Sequence, residues 1–325
     1  NIPDYERMFF TLSHSVSSAI VSFNIPCGHY EIKFDHEGAR DQFTSTISMK
    51  TPINGSERLA TTVRHSARDV SNIDSTISAE TPLGHFEIGV KHTGTAERFT
   101  SALSVATPFG GFENIAATAV HSANDLTNIV SSLKFSTPIG QYGAAFSHQG
   151  TSLRFRTTID ITSPHSAWEK MTFTIENNSP ASTNIEAGLK IELPSGEYAY
   201  SFSHQGSAKE FTTRYVVNTP NSNNYDFEAL VDHSARSLAD IKSKAAIRSY
   251  WGNIGYDIKH KGNQQNFKTD ITVTTPFTEV EDMSVTIEHD ANSLENIQSS
   301  TETNTPWGLF KYQVSYSGRA ENFRT

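Results

Sequence analysis

The stretch "TPLGHFEIGVKHTGTAERFTSALSVATPFGGFENIAATAVHSANDLTNIVSSLKFSTPIG", Thr81–Gly140, says Thr-Pro three times, at Thr81, Thr107 and Thr137. Between these marks the apolar residues alternate with polar ones. Phe86, Ile88 and Val90 share one parity, and Glu87, Gly89 and Lys91 the other. A period of two is that of a half-buried β-strand. Pro fixes φ and lacks a donor, so it belongs at strand ends and turns.

Reading outward, the phrase is a refrain. "IPCGHYEIKFDHEG" at Ile25, "TPLGHFEIGVKHTG" at Thr81 and "TPIGQYGAAFSHQG" at Thr137 align without gaps. So do "LPSGEYAYSFSHQG" at Leu193, "SYWGNIGYDIKHKG" at Ser249 and "TPWGLFKYQVSYSG" at Thr305, every interval being 56 residues. A related second phrase starts at Thr51, Thr107, Ser163, Thr219 and Thr275, so each period is a 26-residue half followed by a 30-residue half. The organisation expected is a partial repeat over 1–24, full repeats over 25–80, 81–136, 137–192, 193–248 and 249–304, and a partial repeat over 305–325. The opening "NIPDYERMFF" starts in mid-phrase, as expected of a segment of something longer.

The alternation holds in every copy. Tyr30, Ile32 and Phe34, then Phe86, Ile88 and Val90, then Tyr198, Tyr200 and Phe202, and finally Phe310, Tyr312 and Val314 form the candidate apolar row. Met8, Phe10 and Leu12 open the same pattern in the second-half phrase. The fold class is therefore all-β: tandem antiparallel β-hairpins, four strands per 56-residue period, in a long amphipathic sheet of roughly twenty-two strands. A repeated glycine at Gly38, Gly94, Gly150, Gly206, Gly262 and Gly318 marks the first-half turns, where it supplies a positive φ. A longer loop around Asn124 and Asp125, or Asn292, is expected in the second half. An apolar face of this length needs a cover, and three exist: closure into a tube or solenoid, a second protein layer, or lipid.

Composition excludes several functions. The net charge is -9 with no basic block, which leaves no footprint for nucleic acid. Cys27 is the one cysteine, so there is no internal disulfide and no cysteine metal cluster. No catalytic motif is present, and every notable feature recurs four to six times, whereas an active site is a unique constellation. The chain is read as non-enzymatic, without cofactor or metal. The turn "HSANDLTNI" loses its acidic spacing in its relatives, which argues against calcium.

Ten of the 13 histidines occupy two registers: His36, His92, His148, His204 and His260, and His14, His65, His121, His233 and His289. Metal sites need convergent ligands. These are read instead as structural, each ending a strand and hydrogen-bonding a loop backbone group. Tyr316 and Asn177 replace His in two copies. Trp168, Trp251 and Trp307, with the tyrosines, are the sole support for a third reading, a glycan-binding β-array, and Trp251 and Trp307, at one repeat position, are read instead as turn packing. Asn54 and Asn177 head sequons relevant only to a secreted chain.

The paired phrases "TPFGGFENIAATAVHSANDLTNI" and "TPLGHFEIGVKHTGTAERF" resemble the repeats of apolipophorin-like large lipid transfer proteins, the family that includes vitellogenins and apolipoprotein B. The resemblance implies a secreted chain whose amphipathic β-sheet covers phospholipid or neutral lipid. The alternative is an extracellular structural protein that self-associates through its repeats into a lipid-free tube or filament. The unbroken period favours it, as does the row of Ser45, Ser101, Thr157, Thr213 and Thr269 amid the apolar face.

Overall fold

The computed structural model describes residues 9–220, 227–280, 282–319 and 322–324; Met8 and the rest of 1–8 lie outside these. Strand accounts for 78% of the chain, and the sole helical element among the described residues is a single 3-10 turn, Ser166–Trp168. The first strands are β1 (Phe9–His14), β2 (Ser18–Ile25), β3 (Gly28–Ala39), β4 (Gln42–Lys50), β5 (Arg58–Asp69) and β6 (Asn72–Thr81). Next come β7 (Gly84–Gly94), β8 (Arg98–Ala106), β9 (Asn114–Asp125), β10 (Asn128–Thr137), β11 (Gly140–Thr151) and β12 (Arg154–Thr162). They are followed by β13 (Lys170–Ala181), β14 (Asn184–Leu193), β15 (Gly196–Ser207), β16 (Glu210–Asn218), β17 (Phe227–Ser237) and β18 (Asp240–Ser249). The last are β19 (Gly252–Gly262), β20 (Asn266–Thr274), β21 (Asp282–Ser293), β22 (Asn296–Thr305), β23 (Gly308–Arg319) and β24 (Asn322–Arg324). The period is legible in these bounds, since β3, β7, β11, β15, β19 and β23 begin at 28, 84, 140, 196, 252 and 308.

The strands group into two compact units, residues 1–149 with 158–171, and residues 150–157 with 172–325. In the first, β1 to β11 form an antiparallel meander, each strand paired with the next. In the second, β13 to β24 do the same. Among the described residues β1 pairs only with β2 and β24 only with β23, so neither meander closes on itself. Closure into a tube is not what these sheets do.

Four kinds of connection join the strands, each with its own chemistry. Second-half strands pass to the next repeat through a two-residue turn. Thr81 pairs with Gly84, its hydroxyl donates to the Gly84 carbonyl at 3.0 Å, and Pro82 and Leu83 form the tip. First halves pass to second halves through a longer loop, in which Thr107 N–H donates to the Glu113 carbonyl and Thr107 Oγ1 donates to the Phe112 carbonyl. The Glu113 carboxylate accepts the Gly111 N–H, and backbone N–H donors from Glu113 and Gly111 hold its pKa below the ordinary carboxylate value. Thr-Pro thus serves two turn types with one device, a hydroxyl that closes the turn beside a residue of fixed φ.

The second-half hairpins correct the expected long loop. Ala67 pairs with Ile73 and Asp69 with Asn72, leaving a bulge and then a two-residue tip, Val70-Ser71. The bulge takes up the extra residue that the sequence shows there. The first-half glycines carry φ of 115 at Gly38 and 121 at Gly94, and a Cβ at Gly94 would lie 2.0 Å from the Arg98 carbonyl oxygen.

A second glycine register follows the Thr-Pro turn. Gly84 has φ 123, and a Cβ there would lie 2.5 Å from Cβ of Pro108; Gly28, Gly140, Gly196 and Gly252 abut Pro52, Pro164, Pro220 and Pro276 in the same way. At Gly308, φ is 142 but nothing lies within 4 Å. Gly84→Val is expected to lower stability by about 2–3 kcal/mol, from positive φ and overlap together, and Gly308→Ala by about 1 kcal/mol, from φ alone. Urea midpoints of the two variants check this, and equal losses would remove the role of the proline contact.

Candidate functional site

Residues directly opposite each other in an antiparallel ladder share a face, so the registers assign every side chain to one of two surfaces. On one lie Phe86, Ile88 and Val90 of β7, opposite Ala79, Ile77 and Ser75 of β6 and, at Ile88 and Val90, opposite Val105 and Leu103 of β8. On the other lie Glu87 and Lys91, the latter 3.0 Å from Asp74. Outside the bulged turns, no Asp, Glu, Lys or Arg falls on the first face in any described strand. The other strand-borne charge sits on the second, where it forms cross-strand pairs such as Lys50–Glu31, Arg214–Glu228 and Lys268–Glu288, each at 2.8 Å, and same-strand pairs such as Lys33–Asp35. These pairs are solvent-exposed and contribute little each.

The uncharged face has no layer over it. Among the described residues no apolar side chain is buried, and the buried residues are three threonines, Thr51, Thr172 and Thr174. The candidate row lies on this face in β3, β7, β15 and β23. Ile88 is 49% exposed and Tyr312 68%, while Tyr30, Phe86 and Phe202 are half-buried by their strand neighbours.

The face is graded from one strand end to the other. Toward the Thr-Pro ends it is aromatic: Phe86 meets Phe109 at 5.5 Å between ring centroids, Tyr200 meets Tyr215 at 4.6 Å, and Tyr215 meets Phe227 at 5.9 Å. The hydrogen bond with Tyr200 raises the Tyr215 phenol above its ordinary pKa, with burial adding to it. The middle is aliphatic and small.

Toward the opposite ends runs the histidine row. His92 stands 5.7 Å from Phe99, which stands 5.3 Å from His121 on the strand beyond. The sandwich recurs as His36–Phe43–His65, His204–Phe211–His233 and His260–Phe267–His289. Ile73 lies opposite His92, joining one sandwich to the next in the first unit, and Ile241 lies opposite His260 in the second. The two histidine registers therefore merge into one line within each unit. That line runs oblique to the hydrogen bonds, because the ladder from His36 passes through Ser45, Val63 and Ile77 to Ile88, 92 − 88 = 4 residues short of His92.

At seven of the ten positions the imidazole takes a cross-strand hydroxyl and not the loop backbone that the sequence suggests. Nδ1 meets the hydroxyl directly across the ladder, His36 with Ser45, His92 with Ser101, His65 with Ser75, His121 with Ser131 and His289 with Ser299, all at 2.7 Å. Thr213 and Thr269 serve His204 at 2.7 Å and His260 at 2.8 Å. The facing strand sets a hydroxyl at hydrogen-bond distance from the ring nitrogen, and that is the partner taken. Asn177, which replaces His, does reach the backbone, its Nδ2 donating to the Leu153 carbonyl at 3.2 Å. The hydroxyls of the second register, Ser75, Ser131 and Ser299, are not picked out by the apolar alternation; a constant ten-residue spacing from His carries their signal.

His14 lies opposite Ala19, and His233 opposite Ser243. His148 lies opposite Ile129. No group of three or more His, Cys, Asp or Glu is placed to hold a metal among the described residues. Trp251 and Trp307 are 78% and 71% exposed at the turn tips, Trp251 standing 6.4 Å edge-on from Tyr250 of the same tip. No family model matches the chain, and neither a curated protein nor a solved structure matches it.

Ser101→Ala leaves the His92 Nδ1 without its hydroxyl and is expected to cost about 0.5–1.5 kcal/mol. Ser101→Thr is expected to be neutral, since threonine fills this place at Thr213 and Thr269. Thermal denaturation of both variants is the check, and equal losses would make the hydrogen bond irrelevant.

Proposed function

We propose that the chain is a non-enzymatic lipid-covering protein whose uncharged sheet face lies on phospholipid or neutral lipid, as the structural part of a secreted lipoprotein. One observation carries the reading: the ladder faces are segregated by charge over every described strand, and the uncharged one has no protein over it. Soluble monomers rarely expose apolar patches beyond a few hundred Å². Covering apolar surface contributes about 25 cal/mol per Å². Lipid takes any shape, so it can follow an open, one-layer meander without a matching partner surface.

Two further features support lipid. The polar groups in the midst of the face are already paired, Ser45, Ser101, Thr213 and Thr269 each with an imidazole nitrogen, which removes the main cost of placing them against hydrocarbon. Indole rings at exposed turn tips, Trp251 and Trp307, suit a boundary between apolar and aqueous media. The resemblance of the repeats to apolipophorin-like chains points the same way.

Flotation with a phosphatidylcholine–triolein emulsion at pH 7.5 tests the proposal. The protein is expected to rise with the lipid, and Val90→Glu with Leu103→Glu to cut the floating fraction at least tenfold, while Lys91→Gln on the charged face leaves it unchanged. Protein that stays in the dense fraction and appears as filaments in the electron microscope would falsify the lipid reading and favour the self-associating one.

A further inference from the structure

The proposed lipid face carries ten side chains that can acquire charge in the mildly acidic range, and they are ordered. The middle of the first unit shows the environment. His92 and His121 flank Phe99, with Ser101 and Ile73 opposite His92 and Ser131 opposite His121. No ionisable side chain of β6, β8 or β10 faces either ring on this side. The nearby charges of those strands, Asp74, Arg98 and Lys134, lie on the other face with Lys91, Glu97 belongs to the β7–β8 turn, and Asp125 ends β9 beside its bulge. At His92 and His121, therefore, no carboxylate of the facing strands shares the side on which the rings lie.

We infer that this histidine row is a proton-binding site that governs occupancy of the face, with acidification releasing the lipid. The inference rests on the lipid reading above. An imidazole ordinarily gains its proton near pH 6.5. Hydrocarbon disfavours the charged form, so the covered state binds protons more weakly than the bare one. The sign follows by linkage: attachment is at full strength above about pH 6.5 and weakens as pH falls through the range where bare imidazoles protonate. An imidazole whose proton affinity is tenfold weaker under the cover contributes about a fivefold weakening at pH 5.5. Contributions of independent sites multiply, so two responsive sites give roughly 30-fold. An unperturbed carboxyl loses its proton near pH 4, well below the pH 5.5 at which an unperturbed imidazole is mostly charged.

Phosphatidylcholine vesicles are the suitable probe, because their headgroup keeps its charge from pH 7.5 to 5.5. The partition coefficient of the intact chain is expected to fall at least tenfold over that interval, with the strand signal in circular dichroism unchanged and binding restored on return to pH 7.5. Replacing the ten histidines by Gln, which keeps a polar amide opposite each hydroxyl, is expected to preserve binding at pH 7.5 and flatten the pH response. Should that variant fail to fold, calorimetry on the unaltered chain at pH 6.0, in buffers of different ionisation enthalpy, reads the same linkage: vesicle binding must release at least one proton per chain. Binding at pH 7.5 that persists at pH 5.5, or binding without proton release, overturns the inference and leaves the lipid reading standing. No binding at pH 7.5 overturns both.

Discussion

In an antiparallel ladder the residue directly opposite shares its neighbour's face, and everything else in this protein depends on that constraint. Once one strand carries Lys91 on one side and Val90 on the other, β6 must place Asp74 and Ser75 to match, and β8 must match in turn. A slip of one residue would carry every charge of that strand onto the uncharged face. The register is thus held less by any single contact than by the cost of mixing the faces, and that cost recurs at each strand. Proline rings set against turn glycines at one strand end, and bulges at the other, fix where each strand must start and stop.

The histidines show how polarity is admitted to an apolar surface. An imidazole and a hydroxyl facing each other satisfy one another at 2.7 Å, and a Phe ring on the flank shields them. The pairing matters once the face is covered, since an unpaired buried polar atom costs more than its hydrogen bond contributes. The pairing also explains a substitution pattern: Thr replaces Ser at positions 213 and 269 without changing the geometry. Where Asn177 replaces His, the side chain finds a turn carbonyl instead.

Alternation and repetition state the period, the strand type, the apolar row and the first-half glycines outright, because each is a local property repeated in phase. The second glycine register is present in the sequence too, as Gly28, Gly84 and their equivalents, but its reason is a proline 24 residues away, as in Gly84 with Pro108. The same holds for the His–Ser pairs: the spacing is visible, while the contact depends on which strand lies beside which. Two-residue tips after a bulge read as longer loops, because sequence spacing counts residues and does not show that one of them is set aside from the ladder.

By itself the sequence determined an all-β repeat of fixed period with one apolar and one charged parity, since side-chain direction along a strand is set by covalent geometry alone. It also determined that no strand-borne carboxylate, ammonium or guanidinium can reach the apolar side outside the bulged turns. Only the tertiary structure decided that the two histidine registers form one row within each unit, that their partners are hydroxyls on the facing strand, and that neither meander closes over its own apolar face. Those outcomes depend on stagger and pairing between strands, which are properties of neighbours brought together in space and not of any one stretch of chain.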